Sequence, residues 1–551
     1  MSTEVVNAAD LAIFAGAIEQ ICSEMDTALE RCAFSPIISE AVDRASGIYS
    51  ALDGGVIAQG HRGLPIFAGC MQYSVKAFLE EVDDARPGDV YMLNDPYRGG
   101  THLMDVRLIT PFHMEGELIC VLANTAHWAD MGGSVPGGFG SRSLSIHEEG
   151  LRFGPTRLVR EGEIDPHVLS LVMDNIRLPD ERYGDIVAQL GALDVGRRRL
   201  SEFIERIGLD RYTTLCAELG EYAQRVATAR FSELPAGRYE ATAWLDDDGV
   251  DHEPLRIQCA LTVIEGRLRF DFAGTSTRCR GPMNSPLGAS QSGVLIGLLH
   301  LFPELVINAG TFSCLDIEIP EGSFLHAAYP SPVAGCASEV PARVIDVVMS
   351  LLGQASPDLA QGAACSTSAN LTVAGTHDSR EFIMYFFAGG GYGGHAGGDG
   401  LTNACATISM AKVPPIELLE EWYPVRFARY ELRPDSAGRG RHRGGLGARY
   451  ELVIDCEEAA VSFLMDRGRF GPPGVVGGRE GATTVARIVR SNGDVEIPEH
   501  LTKDQDIVVG RGDRIVVEMP GGGGYGPAEE RDPVLVARDL KAGYITTEET
   551  S

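Results

Sequence analysis

The stretch Asn94-Asp-Pro-Tyr-Arg-Gly-Gly-Thr-His-Leu-Met-Asp105, followed after two apolar runs by His127-Trp-Ala-Asp130, is where the chain's organisation is decided. Residues 106–110 and 118–126 are rich in β-branched and aliphatic side chains and read as two strands. Met114-Glu-Gly-Glu117 between them reads as a tight turn. A turn centred between Glu115 and Gly116 makes opposite residue numbers sum to 231, so Asp105 is expected to face Ala126 and His127 to face Met104. His102 then lies just beyond the strand end, in a loop opened by Gly99 and Gly100. Two imidazoles and a carboxylate meet at the open end of one hairpin, a donor set suited to a divalent metal.

Working outward, residue types bound the rest of the molecule. At 551 residues the chain exceeds the ~250–300 residues at which a single core stops growing. Hydrophobic residues make up 44%, enough for a sizeable core. A formal net charge of −30 argues against nucleic acid and anionic membrane surfaces as partners. No run of ~18 apolar residues occurs, and Met-Ser-Thr-Glu-Val-Val at the N-terminus lacks the basic region of a secretory signal. Twelve scattered cysteines without a Cys-x-x-Cys pair read as buried reduced thiols. Together these predict a cytoplasmic protein.

Asn7 is a helix N-cap, and Leu11, Phe14, Ile18, Ile21, Met25 and Leu29 recur at helical spacing up to Ser35-Pro36. Residues 47–59 read as a hairpin turning at Asp53-Gly-Gly55, and 68–82 as a helix. Residues 165–207 read as helical with an interruption at Leu178-Pro179. Alternating strands begin near 237, two helices follow near 292–301 and 342–352, and the last third is rich in strands and turns. The expected fold class is α+β, multi-domain with several antiparallel sheets. The expected division is a metal-bearing domain over 1–235, a middle α+β domain over 236–400 and a strand-rich domain over 401–551.

A histidine alone at a strand end is usually a core residue; three convergent donors shift that balance toward a metal site. Asp95 and Asp130 are the nearest further carboxylates, and Asp130 could orient His127 from behind. Asp43 could be supplied by folding, which spacing alone does not show. Gly389-Gly-Gly-Tyr-Gly-Gly394 formally satisfies Gly-x-Gly-x-x-Gly, but no βαβ unit surrounds it, so close backbone packing or a substrate-lining loop is the better reading. Gly521 to Gly524 is not followed by Gly-Lys-Ser/Thr, and no Gly-x-Ser-x-Gly elbow occurs. Catalytic side chains beyond the metal ligands are not named by these patterns.

The 94–105 and 126–133 segments, Glu149-Gly-Leu151, Asn175-Ile-Arg-Leu-Pro-Asp-Glu-Arg-Tyr-Gly-Asp185, Gly398-Asp-Gly400, Tyr423-Pro-Val-Arg426, Tyr430-Glu-Leu-Arg-Pro-Asp-Ser436, Arg443-Gly-Gly-Leu-Gly447 and Pro520-Gly-Gly-Gly-Gly-Tyr-Gly526 resemble the hydantoinase B/oxoprolinase family. These are beta-type subunits of ATP-dependent N-methylhydantoinase, oxoprolinase and caprolactamase, related to acetone and acetophenone carboxylase subunits. The resemblance implies a hydantoinase B-like fold and a divalent metal, Zn or Mn, held by His102, Asp105 and His127. It implies Asp43 as a fourth ligand, in Ser35-Pro-Ile-Ile-Ser-Glu-Ala-Val-Asp43, although that segment departs from the family's Ser-Pro-Asn-Ile-Lys-Glu-Arg-x-Asp. Pro136-Gly-Gly-Phe-Gly140 also departs from the usual Pro-Gly-Ser-Met-Pro, in a loop of a kind that can line the substrate pocket.

The resemblance further implies a hetero-oligomer with a hydantoinase A-type alpha subunit that binds ATP and Mg²⁺. The expected activity is hydrolysis of a small cyclic amide: a hydantoin, a lactam or an oxoproline-like ring. The alternative is a subunit of an ATP-dependent ketone carboxylase, in which an enol phosphate captures CO₂ or bicarbonate. A non-enzymatic scaffold is opposed by the intact trio of donors.

Overall fold

A computed structural model describes residues 7–547; the N-terminal hexapeptide read above for a leader lies outside them. The helix Ala8–Cys32 starts where the Asn7 side chain accepts the Ala9 and Asp10 N–H groups. It packs along the helix Pro179–Ile207. Both cover one face of an antiparallel sheet built from β1 (Arg44–Ser50), β2 (Val56–Gln59), β3 (Val90–Leu93), β4 (Asp105–Met114), β5 (Glu117–His127), β6 (Thr156–Arg160) and β7 (Glu163–Ile164) in the order β2-β1-β5-β4-β3-β6-β7. Side-chain alternation sorts the strands' residues. Val106, Leu108, Leu122 and Ala126 join the core under those two helices. Ile109, Val121 and Ala123 join a second core under the helix Pro65–Glu81. Burial on both faces explains why β4 and β5 read as near-continuous apolar runs.

A second sheet holds β8 (Gly237–Leu245), β9 (Leu255–Ile264), β10 (Arg267–Asp271) and β11 (Leu315–Glu318), antiparallel except for the parallel β10–β11 pair. The helix Val340–Ala355 packs on β8 and on the helix Leu287–Leu301. The helical-to-strand transition falls between Phe231 and Gly237, yet the main core runs across it, from Leu11 through Leu352 to Leu464.

The rest is a two-sheet sandwich. β12 (Asn370–His377), β13 (Arg380–Phe386), β16 (Ala459–Leu464) and β19 (Lys503–Val509) form one layer. β14 (Val425–Leu432), β15 (Ala448–Ile454), β17 (Val485–Val489), β18 (Val495–Glu496) and β20 (Arg514–Glu518) form the other. Leu371, Val373 and Phe463 face Tyr450, Leu452 and Ile515 across its core. The first of these layers pairs β12, before residue 400, with β16, after it, so the expected division there runs through a single sheet. The glycine-rich segments are packed backbone to backbone. A Cβ at Gly393 would stand 1.7 Å from the Gly362 carbonyl oxygen, and one at Gly445 1.7 Å from that of Leu401.

Candidate metal centre

The β4–β5 hairpin turns on Glu115 and Gly116, whose φ angles of 55° and 88° suit the two-residue turns that match strand twist. Near the turn the register is the expected one, Met114 opposite Glu117 and His113 opposite Leu118. Phe112, however, pairs with Cys120, so Ile119 bulges out of the ladder. From there every pair is displaced by one residue, and Asp105 lies opposite His127 rather than Ala126. Directly opposed residues share a face, so the bulge aims this carboxylate and imidazole to the same side.

β1 runs along the other edge of β5 with Arg44 opposite Ala126. The same ladder brings Asp43 beside His127, whose N–H donates to the Asp43 carbonyl at 3.1 Å. Asp105, His127 and Asp43 thus stand side by side across three strand ends. The segment leading to Asp43 is anchored by Asp185, which accepts the Phe34 and Ser35 N–H groups at 2.8 and 3.0 Å and is ion-paired to buried Arg182 at 2.9 Å.

His102 arrives from the loop before β4. Gly99 opens it with φ of 83°, where a Cβ would strike the Tyr73 backbone at 2.3 Å. Asn94 ties the loop down: its side chain donates to the Leu103 and Leu151 carbonyls and accepts the Phe153 N–H, each at 2.9 Å.

At the centre, His102 Nε2 is 3.1 Å from Asp105 Oδ2 and His127 Nδ1 is 3.2 Å from Asp105 Oδ1. Asp43 Oδ2 is 3.9 Å from His127 Nδ1. The Thr101 hydroxyl donates to Asp105 Oδ2 and accepts from Arg107 Nη2 at 2.9 Å. Burial opposes a charge on Asp105, but His102 and His127 outweigh it and hold the carboxyl well below its usual range. Burial pushes His127 down, favouring the neutral imidazole that a metal needs. Burial, with the Asp105 charge beside it, pushes Asp43 well up.

The donor set fits a divalent cation. Among the described residues, buried His102 Nδ1 and His127 Nε2 have no hydrogen-bond partner. The nitrogens that face Asp105, His102 Nε2 and His127 Nδ1, are the ones placed to bind an ion together with its carboxylate. Two neutral imidazoles and two carboxylates would offset a charge of +2.

Asp130 does not orient His127. Its carboxylate accepts the Gly132, Gly137 and Arg177 N–H groups and pairs with the Arg177 guanidinium at 2.9 Å, which fixes the 130–137 loop. Asp95 caps Tyr97 and pairs with Arg98 and Arg152, away from the centre. Tyr385 escaped the sequence reading, and Phe139 figures there only as part of a departing loop. Tyr385 stacks on His127 with centroids 5.3 Å apart, and Phe139 stacks on Tyr385 at 4.9 Å and abuts His102 at 5.5 Å. The Phe139 departure from the family pattern therefore backs the imidazoles.

Asp43, His102 and Asp105 open onto a cavity of about 40 Å³ completed by Phe67, Ser338 and Tyr385, among others. It lies where the first sheet meets the sandwich. The larger clefts, of about 420 to 940 Å³, are lined by none of the four candidate ligands.

A family model described as hydantoinase B/oxoprolinase matches residues 7–528. The chain belongs to the hydantoinase B/oxoprolinase family. It is 31% identical over 555 residues to the caprolactamase subunit beta of Pseudomonas jessenii, covering 97% of this chain and 94% of that one. The crystal structure of the ATP-dependent caprolactamase from Pseudomonas jessenii is similar with a TM-score of 0.91 at 28% identity, over 98% of this chain and 95% of that chain. A nucleotide-free acetone carboxylase structure shares the fold, with a TM-score of 0.91 at 19% identity, over 98% and 78% of the two chains. The α+β architecture with several antiparallel sheets is thus a hydantoinase B fold. Among the described residues no helix is long and apolar enough to cross a membrane.

Proposed function

We propose that this chain is the metal-bearing, beta-type subunit of an ATP-dependent cyclic-amide hydrolase, with His102, Asp105, His127 and Asp43 as ligands of one divalent ion. The observation that carries the reading is the convergence of three of these side chains on one buried point, in a chain matched nearly end to end by a caprolactamase beta subunit. The partner is a hydantoinase A-type subunit that binds ATP with Mg²⁺ and phosphorylates the amide oxygen. Phosphorylation of the amide oxygen ends amide resonance and makes the carbon electrophilic. Water adds there, and the C–N bond breaks with the ring nitrogen taking up a proton as the free amine. The acyl phosphate left behind is hydrolysed to carboxylate and phosphate. A bound divalent ion supplies Lewis-acid polarisation and lowers the pKa of water; Zn²⁺ and Mn²⁺ both suit the donor set.

The chain's own residues do the rest. Asp105 stays ionised and fixes both imidazoles. Thr101 and Arg107 fix Asp105 in turn. Asp43, held beside His127 by the His127 N–H bond to its carbonyl, would bind as the second carboxylate and give up the proton that burial favours as the ion enters. Tyr385, Phe139 and Phe67 wall the site in apolar surface and keep bulk water out.

The ketone carboxylase reading is weaker on coverage, because this chain spans 95% of the caprolactamase chain but 78% of the carboxylase chain. The reconstituted alpha–beta complex decides between them. ATP turnover stimulated by lactams or hydantoins supports hydrolysis, and turnover that requires a ketone plus bicarbonate refutes it.

A further inference from the structure

A second group of side chains has the composition of a metal site. Asp247 and His252 lie between β8 and β9, and His500 lies between β18 and β19. One donor atom from each comes within 4.8 Å of the other two. His500 Nδ1 is 3.0 Å from Asp247 Oδ2. The His252 ring lies flat on His500, with centroids 4.0 Å and planes 15° apart.

The carboxylate is oriented in advance. Asp247 Oδ1 accepts the Gly249 N–H at 3.0 Å and is 3.5 Å from Lys503 Nζ, which leaves Oδ2 to face the imidazoles. Its neighbours are pinned inward. Asp246 accepts the Gly468 and Arg469 N–H groups, and Asp248 those of Arg280 and Gly281. Asp247 and His500 are buried, while His252 is exposed. Such outer contacts are what hold metal ligands in place.

The hydrogen bond to Asp247 accounts for His500 but not for His252. An exposed imidazole is free to turn to water. This one makes no side-chain hydrogen bond among the described residues and stays parallel to a second imidazole.

We propose that Asp247, His252 and His500 bind a zinc-class divalent cation, distinct from the first centre, that clips the β8–β9 connection to the β18–β19 connection. Two imidazole nitrogens and a carboxylate oxygen suit such an ion. Tetrahedral ligands at about 2.0–2.2 Å from zinc stand roughly 3.3–3.6 Å apart. The Asp247–His500 pair already has nearly that spacing, and rotation of the exposed His252 ring closes the set. The fourth position faces solvent and takes water. Because two of the ligands are 253 residues apart in sequence, the ion fastens two regions of the molecule.

The test uses the full chain, stripped of metal with a chelator, dialysed to equilibrium against Zn²⁺ and analysed for bound ion. Loading with Co²⁺ then gives a visible absorption spectrum. His252→Asn should bind one ion fewer per chain than the wild type and lose a tetrahedral Co²⁺ band; His500→Gln should do the same. His102→Ala should keep the His252-dependent ion, which separates the two centres. His252 is exposed, so its variant reports even where the His500 variant misfolds. An unchanged ion count and Co²⁺ spectrum in His252→Asn would overturn the proposal.

Discussion

Asp105 and His127 sit directly opposite each other across the β4–β5 hairpin because Ile119 is left out of the ladder. With Ile119 paired, His127 would lie opposite Met104 and point to the other face of the sheet. The bulge therefore does at the centre what the turn alone would not.

Ile119 is the one residue in excess, so deleting it should straighten β5 without moving Asp105 away from His127. The expected protein is destabilised near the turn but still binds its ion with wild-type stoichiometry. Metal analysis of the deletion variant checks this, and loss of the ion from a folded variant would refute the register argument.

Thr101 touches the centre only through Asp105. Thr101→Val keeps the shape and removes the hydroxyl. It should weaken ion affinity by about 10–100-fold with all four proposed ligands intact. Competition with a chelator of known affinity measures the change, and Thr101→Ser should restore most of it.

Phe139 is buried against His127, His102 and Tyr385. Truncation to alanine should cost about 3–5 kcal/mol of stability, whereas Phe139→Met, the residue the family pattern carries there, should cost less than about 1.5 kcal/mol. Denaturant titration of both variants compares them. Equal losses would mean that the ring does not pack as described.

Glu149 is buried and accepts the Val333 and Ala334 N–H groups, with burial pushing its carboxyl up to about 8. Its folded pKa lies above its unfolded one, so the native state holds the extra proton. The stability it contributes is complete below about pH 4.5 and is lost as pH rises through about 8. At about 1.4 kcal/mol per unit the span is a few kcal/mol. Glu149→Gln should flatten this dependence, so denaturation from pH 5 to pH 8.5 should show wild type losing ground to the variant. Parallel curves would contradict the assignment.

The hairpin was legible in the sequence because two β-branched runs flank a Glu-Gly turn, and both signals are local. The helix from Ala8 was legible through Asn7 and its apolar stripe. The bulge was not, since a ladder that skips Ile119 is set by packing on both faces of a buried sheet. Asp43 reaches the centre through the β1–β5 ladder, a pairing between strands about 80 residues apart that no spacing rule gives. Family resemblance named it where hairpin arithmetic could not. Tyr385 arrives from the sandwich, and nothing near it in sequence marks it as a neighbour of His127. Asp130 shows the reverse error: three residues from His127 in sequence, it spends its carboxylate on the 132–137 loop and Arg177.

Anomalous diffraction from crystals of the full chain, soaked separately in Mn²⁺ and Zn²⁺ and recorded at each metal's absorption edge, probes the first centre most directly. One strong peak at this centre, bonded to His102, Asp105 and His127, with Asp43 in reach, is the predicted result. Well-ordered side chains at these positions with no peak between them at saturating ion would contradict it.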